Sequence, residues 1–442
     1  MLLVFNQHEY RNALGNGECD PPCIIRNFIP TDRIKYGSLK DGSTKLSLSQ
    51  LKKRLPFDMF NELRGALGLT MKHAQTRFPA YRFLAPEFIN DEWLASVDWH
   101  KKFHRDHVLH QPMCVYVGYS LLRNIKGLGR SGGSLLDAAR DAFLEGEGCE
   151  YLREYMAAMG VKNIFLEKLK ILPTLADNFF LEIFFLTALF HDLGYPWQFS
   201  STINTCLDSL ASINSIPSLD PVKVLQDYGQ RLFIVPLKGY LNKDLTSPAS
   251  WGHEFRDILD RSLRKTHGMP GAINFLYLND QLRSYPSKVK PLHRFGVEWS
   301  AMAIMMHDMG KIYGKVESGN IKINCPQLRL SFDKDPLSFV MAITDLIQDF
   351  SRPDATFVAK PSSSSDISVN YRHRCHEVAV DWDVATKVLK IIYRYKNYKD
   401  FIANKHVFLP ESQKLYFDPF YGYFSTGSLG IKRILLDAEW KP

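Results

Sequence analysis

The sequence predicts a mainly α protein: a helical bundle over residues 96–352 with a small α+β extension at its C-terminal end. Three observations carry this. Apolar residues recur at three-to-four spacing through HVLHQPMCVYVGYSLLRNI (107–125), the mark of a helix with a buried face. The run FFLEIFFLTALF (Phe179–Phe190) is almost wholly apolar, as in a core helix. Strict alternation is strongest near the end, in HEVAVDWD and KVLKIIYRY (376–395).

The elements follow in chain order. Residues 1–95 are of mixed composition, with turn signals at GNGECDPPC (15–23), and form an N-terminal extension expected to pack on the rest. The helix over 107–125 leads into a glycine-rich loop, GLGRSGG (127–133). A polar-faced helix is expected over 135–160 and an apolar one over 162–193, closed by Pro196. Residues 200–250 read as short helices and loops, and 252–283 and 296–309 as further helices. KIYGKVESGNIKINC (311–325) alternates around an ESGN turn and predicts a hairpin. A proline opens an apolar helix over 336–350. KPSSSSD (360–366) is a linker, and the strands of 376–395 pair antiparallel through a turn at 384–386. The aromatic, glycine-rich segment 418–437 is expected to pack back on the body. Three regions result: 1–95, 96–352 and 353–442.

Composition excludes several classes. Of 442 residues, 45% are hydrophobic and 23% charged, so the chain is neither disordered throughout nor fibrous. Lys+Arg 55 against Asp+Glu 47 leaves +8, which suits an anionic substrate but is too dilute for a dedicated DNA binder; stable nucleic-acid binding is not expected. The seven cysteines are odd in number and scattered, and Cys19 and Cys23 lack a second pair at zinc spacing. They read as free thiols of a cytoplasmic protein. MLLVFNQHEY has no basic n-region, and Phe179–Phe190 is too short to span a bilayer and carries Glu182, so no leader and no membrane partner are expected.

Two His-Asp pairs carry the chemistry: His191–Asp192 in LFHDLGYP and His307–Asp308 in MMHDMGK. Each ends an apolar run and is followed by a hydrophobic residue and Gly. A charged Asp in such surroundings is costly unless it is paired or binds a metal. Neutral imidazole with carboxylate suits a divalent transition metal. Adjacent helical residues point about 100° apart, so one pair reaches a single ion only near a helix end, or its Asp leans toward a second ion. That geometry favours two ions with a bridging carboxylate.

These motifs resemble the HD superfamily of metal-dependent phosphohydrolases, whose pattern is His, His-Asp and a distal Asp on helices. Its bimetallic branch, which includes the HD-GYP phosphodiesterases, adds two His positions. The resemblance covers about residues 100–352. It implies His110 in DHVLHQPM as the opening His, with His107 as the alternative one turn earlier, and His191–Asp192 as the HD pair. It also implies His267 in THGMPGA, His307 in AIMMHD and Asp345 in ITDLIQD. Asp308 stands where that branch commonly has a second His. A shorter set, His267, His307–Asp308 and Asp345, also satisfies the basic pattern.

The resemblance implies one ion on His110, His191, Asp192 and Asp345, and a second on His267 and His307 bridged by Asp192. The ions would be Mn, Fe, Co, Ni or Mg. Asp192, Asp308 and Lys311 are the candidate catalytic groups in a metal-assisted attack of water on phosphorus. Lys311 is either a phosphate clamp or a solvated helix-end lysine. Tyr195 and Trp197 are candidate substrate contacts, or core residues.

The activity implied is nucleotide hydrolysis, with a deoxynucleoside triphosphate split to deoxynucleoside and triphosphate as the favoured reaction; some members of the superfamily would use it to deplete nucleotides in antiviral defence. A cyclic mono- or dinucleotide phosphodiesterase is the alternative, and a non-catalytic nucleotide sensor is a third class. Assembly into a homo-oligomer is a further expectation from the resemblance. GLGRSG (127–132) fits the dinucleotide fingerprint GxGxxG but follows a helix, which removes its usual context. His373, Cys375 and His376 read as a sheet-edge cluster.

Overall fold

A computed structural model describes residues 1–6, 43–47, 107–194, 257–258, 261–263, 265–281, 291–317, 320–348, 353–359, 366–373, 375–405 and 410–442. For 43–47, 353–359 and 366–373 it describes the backbone alone. Helices dominate, with strands at the chain ends and in short hairpins, so the mainly α expectation holds.

The body begins with α1 (His107–Asn124), packed on α5 (Pro173–Phe190). α5 also packs on α7 (Pro291–Met306), which contacts both α6 (Gly268–Gln281) and α9 (Pro336–Ile347). The core is aromatic. Phe143 lies 4.5 Å from Trp299 between ring centroids, and Phe180 and Phe295 close around the same indole. Large flat rings of this kind fill a helix interface with little side-chain entropy to lose.

Two expected helices are broken, each for a local reason. The run 162–193 divides into α4 (Asn163–Ile171) and α5, because Pro173 displaces the residue before it from helical geometry. Leu172 accordingly has φ −115° and ψ 83°, and Pro173 becomes the first residue of α5. The helix over 135–160 divides into α2 (Leu135–Glu145) and α3 (Glu150–Ala158), since Gly146 is extended at φ −66° and ψ 133°. The loop at 127–133 is a tight hairpin, β3 (Lys126–Leu128) with β4 (Gly133–Ser134). Gly129 and Gly132, both at φ +66°, supply its left-handed turns. α6 and α7 start at 268 and 291, and α5 ends at Phe190, before Pro196, which lies outside the described residues.

α5 is 18 residues long and by length and composition could cross a membrane, which corrects the expectation that this run is too short. Its side chains from Phe179 to Phe190 are nevertheless almost all buried against neighbouring helices, as a core helix requires.

The predicted hairpins form as β5 (Gly314–Glu317) with β6 (Asn320–Ile323), and β10 (Glu377–Asp383) with β11 (Val388–Tyr395). Two additions were not foreseen. β1 (Leu2–Asn6) pairs antiparallel with β10, and β13 (Arg433–Trp440) pairs parallel with β11, giving the order β1-β10-β11-β13. The N-terminal strand therefore completes a sheet of the C-terminal region. β2 (Ser43–Ser47) likewise joins β9 (Asp366–His373) beside β8 (Pro353–Ala359). β12 (Phe424–Ser425) pairs with β7 (Leu330–Ser331), which fastens the end of the chain to the body as the aromatic segment predicts.

α9 owes its start to a buried carboxylate. Asp335 caps it by accepting from the Ser338 N–H at 3.1 Å, and it also accepts from the Trp299 indole N–H at 2.9 Å. Asp335→Ala removes a cap and orphans a buried indole donor. Thermal or urea unfolding should register a loss of about 2–4 kcal/mol, with Asp335→Asn losing less.

Candidate metal centre

Each predicted ligand comes from the end or first turns of a helix. His110 lies in the first turns of α1, and Asp345 near the end of α9. His191 follows α5, His267 precedes α6 and His307 follows α7. Packing brings these ends together, so residues up to 238 positions apart meet in one buried cluster.

Two His Nε2 pairs approach closely: His110 to His191 at 3.0 Å, and His267 to His307 at 3.0 Å. Asp192 spans both pairs. Its Oδ1 lies 3.1 Å from His267 Nε2 and 3.4 Å from His191 Nε2, and its Oδ2 lies 3.6 Å from His110 Nε2. Asp345 Oδ1 lies 2.8 Å from His110 Nε2 and 3.6 Å from His191 Nε2. The cluster thus includes His110, His191 and Asp192, which the shorter set of ligands leaves out.

The other ring nitrogens all face outward acceptors. His191 Nδ1 lies 2.8 Å from the Ala188 carbonyl, and His307 Nδ1 lies 2.6 Å from that of Ile304. In both cases the ring folds back on a carbonyl three residues earlier. The last carbonyls of a helix have no intrahelical donor, so a histidine just past the end finds one free. His110 Nδ1 meets Gln348 Oε1, and His267 Nδ1 lies 2.8 Å from Asp308 Oδ2. For His191 and His307, an Nδ1–H donated to the Ala188 and Ile304 carbonyls leaves the Nε2 lone pair aimed inward, the arrangement expected of metal-binding imidazoles. His267 Nδ1 meets its carboxylate at ion-pair distance without hydrogen-bond alignment.

Gly194, after the first HD pair, and Gly268, after His267, serve close approach. A Cβ on Gly194 would collide with the His267 carbonyl and lie 2.5 Å from Gly271 N. One on Gly268 would lie 2.7 Å from Ile304 O and 2.8 Å from Met305 O. Bare backbone at both turns lets the 191–194 segment and the end of α7 reach the start of α6.

The charges of the cluster act strongly on one another. Burial opposes charge on His267, yet Asp308 and Asp192 outweigh it and raise the ring to about 9. Burial, with His267 and His191 beside it, pushes His307 down to about 4. His191 is raised, burial being outweighed by Asp192 and Asp345. Asp345 is held well below the carboxylate range, its burial overcome by hydrogen bonds from His110 and His191. The lowered carboxylate beside raised rings marks an anionic pocket that suits positive charge. Buried groups here could hold a metal ion. His110, Cys114, His191 and Asp345 offer donor atoms within 4.8 Å of one another, as do His191, Asp192 and His307.

The remaining candidates lie as follows. Asp308 faces away from the centre, toward His267 Nδ1, and Lys311 Nζ lies 2.8 Å from Asp308 Oδ1 with its side chain 46% exposed. Tyr195 and Trp197 lie outside the described residues, as do the side chains of His107 and His373. Cys375 is buried, and His376 is lowered by burial and by Lys396. Sequence reasoning missed two neighbours. Gln348 stands three residues after Asp345, and Cys114 Sγ lies 3.6 Å from His110 Nε2, one helical turn along. The helical spacing signals both, once the neighbouring ligand is chosen.

Comparison with protein-family models, curated proteins and solved structures finds no match to this chain.

Two outcomes are expected. Metal binding must displace the His267 proton, so affinity for Mn or Co should rise with pH toward about 9, by up to about tenfold per unit for one displaced proton. Calorimetry in buffers of different ionisation enthalpy would reveal the released proton. Gly194→Ala should cost about 1–3 kcal/mol on unfolding and lower the metal content, because its neighbours are backbone atoms that cannot rotate aside.

Proposed function

We propose that this chain is a metal-dependent phosphohydrolase of the HD type, acting on a nucleotide through a two-ion centre. The observation that carries the reading is the inward convergence of His110, His191, His267 and His307 on two carboxylates, with Asp192 between the two histidine pairs. Divalent ions bound there would supply Lewis acidity toward a phosphoryl group and lower the pKa of water.

The chain's own residues do the rest. His110, His191 and Asp345 would hold the first ion with Asp192, and His267 and His307 would hold the second. Asp345 keeps 27% of its side chain exposed in an otherwise enclosed cluster, so substrate would approach on its side. Lys311 offers a partly exposed ammonium for phosphate. The substrate we favour is a deoxynucleoside triphosphate, cleaved to deoxynucleoside and triphosphate, since a polyanion suits a chain of net charge +8. Depletion of such nucleotides in antiviral defence is the corresponding role. A cytoplasmic setting accords with the buried free thiols Cys114, Cys149, Cys325 and Cys375.

The test is a product screen of the Mn-loaded protein against dNTPs, NTPs, cyclic nucleotides and single-stranded DNA, with products separated by chromatography. Release of intact triphosphate is the expected result. Linear dinucleotide or nucleoside monophosphate from a cyclic substrate would replace it with a phosphodiesterase, and bound metal without turnover would favour a sensor. His191→Ala with Asp192→Ala, or Asp345→Ala alone, should leave less than about 1% of activity and reduce metal content. Retention of both would sink the assignment.

A further inference from the structure

We infer that Asp308 is a positioning residue for His267 and not a metal ligand, with Lys311 as its counter-ion. The inference rests on the two-ion centre proposed above and assigns the carboxylate of the second HD pair.

The outer partners of the four imidazoles differ for a structural reason. His191 and His307 follow helix ends and use free carbonyls, those of Ala188 and Ile304. His110 sits in a helix whose carbonyls are engaged in its own ladder, so a side chain, Gln348, serves instead. His267 precedes α6, and the start of a helix exposes N–H groups, not carbonyls. Helical residues reach 265 before it, yet its Nδ1 lies 2.8 Å from an oxygen of another element. Asp308 supplies that oxygen.

Both carboxylate oxygens of Asp308 are then committed. Oδ2 lies 2.8 Å from His267 Nδ1 and accepts from the His267 backbone N–H at 2.9 Å. Oδ1 lies 2.8 Å from Lys311 Nζ, one turn further on. Both oxygens are thus turned to partners outside the cluster of inward Nε2 atoms. The direction follows from the helix end: His307 points inward, and the next residue is turned about 100° away from it. The position beside α6 is also favourable, because a helix N-terminus stabilises a carboxylate. Asp308 thus sets a negative charge behind the His267 ring and holds the same residue's backbone N–H.

The full-length protein carrying Asp308→Asn tests this, because Asn keeps the size and one acceptor oxygen but removes the charge. Metal content and affinity would be read by elemental analysis and chelator competition with Co, alongside unfolding of the metal-free protein. Wild type should bind two ions. Asp308→Asn should keep the first and weaken the second by about 10–100-fold, while the metal-free protein, although less stable, still unfolds cooperatively. The same change made in a His267→Ala background should add nothing, since Asp308 acts through that ring. Unchanged second-ion affinity in Asp308→Asn would overturn the inference. So would further weakening in the His267→Ala background, or a cobalt absorption band altered as for a lost ligand. A wild-type protein that binds no metal would sink the centre itself, which is a separate and earlier failure.

Discussion

A buried imidazole must satisfy two nitrogens, and the rest of this site depends on how that is done. Three of the four histidines place Nδ1 against a neutral acceptor outside the cluster and His267 places it against the Asp308 carboxylate, which turns Nε2 inward. Two close Nε2 pairs and the Asp192 carboxylate are then buried together, with Asp345 at the partly exposed edge. Such a collection is stable only with protons or cations inside it. Opposed shifts on neighbouring rings, His267 up and His307 down, express the same constraint.

The fold supplies the ends of helices. A helix interior has spent its backbone donors and acceptors, while its last turn has carbonyls to spare and its first turn has N–H groups. The site uses both: carbonyls at the ends of α5 and α7 hold His191 and His307, and Asp308 meets the backbone N–H of His267 at the start of α6. Bare backbone at Gly194 and Gly268 allows these ends to touch. Behind them, the packing of Phe143, Phe180 and Phe295 on Trp299 fixes the helices, and Asp335 ties the same indole to the helix that carries Asp345. The core and the cluster are therefore linked through one buried carboxylate.

Much of the fold was legible. Periodicity located α1 and α9 and the hairpins at 314–323 and 377–395, because each is a local pattern. Pro173 and Gly146 were present in the sequence, yet apolar periodicity concealed the breaks they impose. Pairing of β1 with β10 joins residues as far apart as Leu2 and Asp381, and no local pattern records such a pairing. In the cluster, the HD pairs declared themselves because a charged residue inside an apolar run is expensive. Gln348 and Cys114 did not, since a buried amide or thiol in a helix is unremarkable until its neighbour is known.

The sequence by itself determined the helical character of the body and the residue types at the site. It also fixed the local device by which a histidine past a helix end reaches the carbonyl three residues back. Those are short-range consequences of backbone geometry and burial. Only the tertiary structure decided which histidines pair, that Asp192 lies between the pairs, and that Asp308 faces outward to His267 and Lys311. The reason is distance along the chain. The partners come from helices whose relative placement is set by core packing, and which oxygen meets which nitrogen depends on where those helix ends finally meet.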